Sequence, residues 1–127
     1  MSELLQEDTS AVKIDLSYLE DIAGGSNEFI IEMIDMFLEQ TPGYLDIIKS
    51  GIVDKNWKTV SEIAHKIKPT LAFMGSELAR EAMADIEMNS KNLTDLDKIE
   101  ENFTKLHQFC LQLCLKLKVA KDNLPKD

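Results

Sequence analysis

One stretch constrains the fold more than any other: Trp57 to Gly75, WKTVSEIAHKIKPTLAFMG. At roughly 100° per residue, Val60, Ala64, Ile67, Leu71 and Met74 fall on one stripe about 80° wide, which predicts an amphipathic helix with one buried face. His65 falls roughly 140° from the centre of that stripe and points to solvent by phase. Lys66 follows it directly, and Lys68 lies one turn further along. Pro69 stands inside the same helix, four residues after His65. It has no N–H to give the His65 carbonyl and its ring crowds that carbonyl, so a local kink is expected just past the histidine.

The same three-and-four spacing continues through the chain. Asp15 is placed to cap a short helix to Ile22, with Leu16, Leu19 and Ile22 as its apolar side and Gly24-Gly25 ending it. Ser26 or Asn27 caps a second helix, Glu28 to Gln40, with Ile30, Met33, Ile34, Phe37 and Leu38 inward. Thr41-Pro42 reads as a restart, Thr41 as cap and Pro42 at the first helical position. A third helix then runs to about Val53, burying Leu45, Ile48 and Ile52. Asp54 is the expected cap of the His65 helix, and Gly75 closes it. Ser76 caps the next helix, to about Asn89, with Ala79, Ala82, Met83 and Ile86 inward; the polar run Asn89 to Asn92 reads as a loop. Thr94 with Asp97 resembles a capping box for a long final helix to about Val119, which aligns Ile99, Phe103, Leu106, Cys110, Leu113 and Leu117. The first ten residues and the tail from Lys121 to Asp127 are expected to be loose. With no alternating strand pattern, no repeat and no internal boundary, the prediction is an all-α antiparallel bundle of four or five amphipathic helices with short connections. It is a single domain spanning the 127 residues, with its core at about 11 to 118.

A net charge of −9 argues against nucleic acid or an anionic membrane as partner. The basic patch of Lys55, Lys58, Lys66 and Lys68 around His65 is therefore local. The acidic amino terminus has no signal pattern, and no apolar run reaches membrane-spanning length, so a cytoplasmic protein is expected. Met1 and the short tails point to a free-standing protein, and a bundle able to bury its own core points to a monomer. Cys110 and Cys114, four apart on one helix, suit a reducing compartment and small core positions better than a disulfide. Met33, Met36, Met74, Met83 and Met88 read as core filler or as partly exposed at helix edges, and Trp57 as a packing anchor.

Four chemistries compete for these residues. An exposed imidazole beside two ammonium groups suits a phosphorylated histidine, because phosphoryl transfer needs mainly positioning and positive charge on the oxygens. Glu62-Ile63-Ala64-His65 is a Glu-x-x-His of the kind used in di-iron bundles, but a second copy is missing and the only other histidine, His107, has Thr104 at the matching position. His107, Cys110 and Cys114 line one helix side as three potential zinc ligands, without an evident fourth and among leucines. A plain helical adaptor needs none of this chemistry and would keep its partner after His65→Gln.

Ala64-His65-Lys66-Ile67-Lys68 followed by Gly75 resembles the signature of histidine-containing phosphotransfer (HPt) domains, Ala-His-x-Leu-Lys-Gly and then a further glycine at the helix end. Ile67 takes the place of the leucine, and Pro69 the place of the first glycine. The upstream segment GGSNEFIIEMIDMFLEQTP is similar to the family's second helix, and the run through Leu78 to Glu87 to its next one. The resemblance covers roughly residues 11 to 118. It implies a four-helix bundle with an extra amino-terminal helix. It further implies that a receiver domain's aspartyl phosphate passes its phosphoryl group to Nε2 of His65, and that another receiver's aspartate takes it on. The partner supplies the magnesium, and the HPt domain itself has no cofactor and binds no ATP, in keeping with a chain that has no Gly-rich phosphate loop. The expected roles are His65 as phosphoacceptor, Lys66 and Lys68 as electrostatic support with Lys68 on the histidine side, and Gly75 as the structural helix end. Lys58, Ser61, Glu62, Pro69 and Ala72 form the expected docking face for receiver domains or a hybrid histidine kinase. Proline in place of glycine is expected to narrow the range of partners.

Overall fold

The structure, a computed structural model, describes residues 14–125. Within them lie five helices and no strand: α1 (Ser17–Ala23), α2 (Asn27–Val53), α3 (Trp57–Phe73), α4 (Glu77–Asn92) and α5 (Leu96–Asp122). The connections between α2 and α5 are three residues each, which turns successive long helices antiparallel. α2 packs against α3 and α5, and α4 packs against the same two, so α3 and α5 stand at opposite corners of a four-helix bundle. α1 is the additional short helix and lies against α2.

One apolar core fills the bundle. Every residue of the α3 stripe is buried, from Val60 through Met74, as are Ala79, Ala82, Met83 and Ile86 of α4 and the whole row from Ile99 to Leu117 on α5. Cys110 is buried and Cys114 half-buried, both as free thiols. The apolar pattern missed Phe109, which is also buried, and misplaced Ile22, which faces solvent at the edge of α1.

The polar and proline signals misled at several boundaries. Thr41-Pro42 does not restart the chain: α2 is one 27-residue helix with Pro42 inside it. The reason is the unbroken inward row Ile30, Ile34, Phe37, Thr41, Leu45, Ile48 and Ile52, in which Thr41 is a core position rather than a cap. Pro42 lies on the exposed side, where losing one hydrogen bond is tolerated. Asp54 ends α2 rather than starting α3, its backbone N–H donating to the Ile52 and Ser50 carbonyls. Lys55 then turns through a left-handed conformation, and Asn56 caps α3 by accepting from the Thr59 N–H at 3.3 Å. Asp15 stands one residue before the N-cap of α1, Leu16, and its carboxylate accepts from the Ser17 N–H at 2.9 Å.

Residues 89–92 are helical, the last turn of α4. Ser90 is buried there and donates to the Ile86 carbonyl at 2.7 Å, so a polar residue is satisfied within the helix. Left-handed Leu93 ends α4. The Thr94 and Asp97 capping box does not form: the Thr94 hydroxyl donates back to Asn89 Oδ1 at 3.1 Å, and Asp95 occupies the cap position of α5 without a side-chain bond. α5 also runs past Val119, held to α2 by Lys121 Nζ donating to Asp35 Oδ1 at 2.8 Å and by Asn27 Nδ2 donating to the Pro125 carbonyl at 3.0 Å. The expected loose tail is thus tied down as far as Pro125; the expected loose amino terminus lies outside the described residues.

Gly75 sits at φ +78°, in the left-handed region where a side chain is strained. Its N–H donates to the Ala72 carbonyl and the Ser76 N–H to the Leu71 carbonyl, each at 3.0 Å, closing α3. A Cβ at this position would lie 1.8 Å from the Asp15 carbonyl oxygen. The glycine therefore ends α3 and also admits the chain that leads into α1.

Candidate functional site

His65 occupies the middle of α3, with its side chain 72% exposed. The stripe from Val60 to Met74 fixes the rotation of α3 about its axis, and this turns His65 and Lys68, three residues apart, towards the α4 side. On α4, Ile86 is in the core, which places the adjacent Glu87 at the edge of the α3–α4 seam. There its carboxylate joins the two side chains of α3. Oε2 lies 2.7 Å from His65 Nδ1, and Oε1 accepts from Lys68 Nζ at 2.7 Å.

The chemistry of this trio follows from the donor inventory. An ionised carboxylate only accepts, so Nδ1 carries the hydrogen of this bond, and the neutral imidazole then has its lone pair on Nε2. Nε2 has no protein partner among the described residues. Burial at the seam pushes the Glu87 carboxyl up, but the hydrogen bonds from Lys68 and His65 outweigh it and hold the group below the usual carboxylate range. Glu87 is therefore an anion at neutral pH, held between a cation and a ring N–H.

The two lysines part company. Lys68 belongs to the trio, whereas Lys66 Nζ lies over the Tyr44 ring of α2, 5.4 Å from its centroid. Of the expected docking face, Lys58, Glu62 and Pro69 are exposed, and Ser61 and Ala72 are half-buried beside them. The Ser61 hydroxyl donates to the Lys58 carbonyl at 2.9 Å. α3 continues without a break through Pro69 to Phe73. Phe73 is half-buried, its ring 5.2 Å from that of Tyr18 on α1.

Glu87 is the residue that sequence reasoning missed as a member of the site. It stands 22 positions after His65 on another helix, and only the antiparallel register of α3 and α4 brings the two together. Glu62 is exposed on the outer face, and among the described residues no three of His, Cys, Asp and Glu converge as a metal site. His107 instead lies against Phe103, ring centroids 5.5 Å apart. Among the described residues no helix is long and apolar enough to cross a membrane.

The family model described as Hpt domain matches residues 32–116, which include α3, α4 and most of α2 and α5. The chain belongs to the Hpt domain family, whose members are phosphotransfer modules of two-component signalling that work with receiver domains and kinases and have no kinase site of their own. No curated protein and no solved structure matches it.

Proposed function

We propose that this protein is a phosphorelay intermediate, with Nε2 of His65 as its phosphoacceptor. The observation that carries the reading is the His65–Glu87 pair, which commits Nδ1 as a donor and leaves the nucleophilic lone pair on the nitrogen with no protein partner. In the forward step the Nε2 lone pair attacks the phosphorus of a receiver's aspartyl phosphate. The bond between phosphorus and the aspartyl oxygen breaks, and the receiver's carboxylate leaves with the electron pair. Because Nδ1 keeps its proton, positive charge develops on the ring during attack, and the Glu87 carboxylate beside it stabilises that charge. The reverse step, on a second receiver, returns the lone pair to Nε2. No proton needs to leave the ring in either direction.

Lys68 keeps Glu87 ionised and lies within one helical turn of His65, where its ammonium can turn to the oxygens of the bound phosphoryl group. Lys66 is assigned the lesser part, because its ammonium is engaged over Tyr44 on the far side of the helix. Lys58, Ser61, Glu62, Pro69 and Ala72 frame the histidine and are proposed to meet the receiver, which brings the magnesium ion. The module is proposed to act in the cytoplasm and without a cofactor of its own.

The test is transfer from receiver domains charged by a small phosphodonor. Wild type takes up label as a phosphoramidate, labile in acid and stable in base, and His65→Gln takes up none while still binding the receiver. A wild-type chain that stays unlabelled against several receivers, yet binds them, is an adaptor and overturns the proposal.

A further inference from the structure

The outer face of α5 carries two features that the histidine site does not use. The first is a row of aliphatic side chains, Leu111, Leu115 and Val119, spaced four residues apart and 49%, 58% and 61% exposed. The second is a cleft of about 190 Å³ in the first half of the same helix, where it meets the end of α2. Phe103 forms its apolar floor, Ile52 and Val53 one wall, and Thr104, His107 and Gln108 the other. Thr104 and Gln108 continue the line of Leu111 and Leu115 at spacings of four, three and four, so the row and the cleft share one helix face.

Charge is also divided along α5. Residues Leu96 to Glu101 hold Asp97, Glu100 and Glu101 against Lys98. Residues Lys116 to Asp122 hold the exposed Lys116 and Lys118, with Lys121 already paired to Asp35 of α2, against Asp122. A single helix thus has an acidic first end beside a cleft and a basic last end beside a row of knobs.

We propose that this face binds a second copy of the chain, as a two-fold antiparallel pair of α5 helices. An axis crossing near Leu111 lays Leu115 and Val119 of each copy over the cleft of the other. It also sets the basic end of each α5 beside the acidic end of its mate. The contact is isologous, so both complementarities are satisfied twice. A partner with unrelated charge would match at most one end, which is why the second copy is the favoured occupant. A 27-residue helix is about 40 Å long, and a strip of that length and one helix wide falls near the lower limit of about 1,000 Å² for a specific interface, so the dimer is weak and reversible. α5 stands diagonally across the bundle from α3, so dimerisation leaves both His65 sites uncovered.

Sedimentation of the full chain over a concentration series tests this. Wild type shifts from monomer to dimer as concentration rises, and raised salt favours the monomer. Leu115→Glu on the row and Val53→Glu on the cleft rim, both at exposed positions, each remove the dimer at every concentration while the helical spectrum is unchanged. Met88→Glu, exposed on α4 instead, leaves it intact. A wild-type chain monomeric up to about 1 mM overturns the proposal. So does a dimer that survives Leu115→Glu and Val53→Glu, or one that Met88→Glu removes equally well.

Discussion

Glu87 Oε2 and His65 Nδ1 lie 2.7 Å apart across the α3–α4 seam, and this one contact leaves Nε2 as the ring nitrogen with the lone pair. Glu87→Gln keeps an acceptor for Nδ1 but removes the charge proposed to stabilise the ring during attack. Phosphotransfer to His65 should slow by roughly tenfold to a hundredfold, and Glu87→Ala, which removes the acceptor as well, should fall at or beyond the slow end of that range. Single-turnover transfer from a charged receiver measures both. Equal rates in wild type and Glu87→Ala would mean that the pair has no part in the reaction.

The same carboxylate gives a pH dependence. Its pKa is lowered in the folded chain, so its contribution to stability is present above the unfolded value and is lost as pH falls through the folded one. A carbon-detected titration of Glu87 should show a midpoint below the ordinary 4.5, and Lys68→Ala should move it upward. A midpoint that ignores Lys68 would disprove the bridge in solution.

Gly75→Ala should destabilise the protein by about 2 to 4 kcal/mol, from left-handed strain plus the clash with Asp15. Chemical denaturation reads the loss. Hydrogen exchange should show the earliest opening at residues 15–23, because the Asp15 backbone is what must move.

Pro42→Ala should stabilise α2 by about 1 to 3 kcal/mol, since an N–H returns to the Leu38 carbonyl on an exposed face. Pro69→Gly is a different case. It relieves crowding near His65 but substitutes a poor helix former, and its expected effect is a wider range of accepted receivers, scored by transfer from a panel.

Burial pushes the Cys110 thiol up to about 12, and it should resist a disulfide reagent at pH 8 in the native protein. Cys114, half-buried, should react slowly, and both should react at once in denaturant. Rapid native labelling of Cys110 would place it outside the core.

Apolar periodicity predicted the helical segments, though α2 was read as two, and nearly all of the buried rows, because burial of a stripe is set by 3.6-residue geometry within one helix. It also turned His65 outward. Boundaries were less legible where polar residues had two possible partners. Thr41 reads as a cap but fills a core position, Thr94 reads as a cap but bonds Asn89, and Ser90 reads as loop but bonds its own helix. In each case a short hydroxyl chose its partner after packing had placed it.

His65, its outward phase and its neighbour Lys68 were thus written into one segment of sequence. Glu87 was not, nor was the separation of Lys66 from the site. Both depend on how helices 20 or more residues apart in the chain are rotated and registered against one another. That registration comes from the shared core of α2, α3 and α4, a sum of many small contacts that no local pattern encodes.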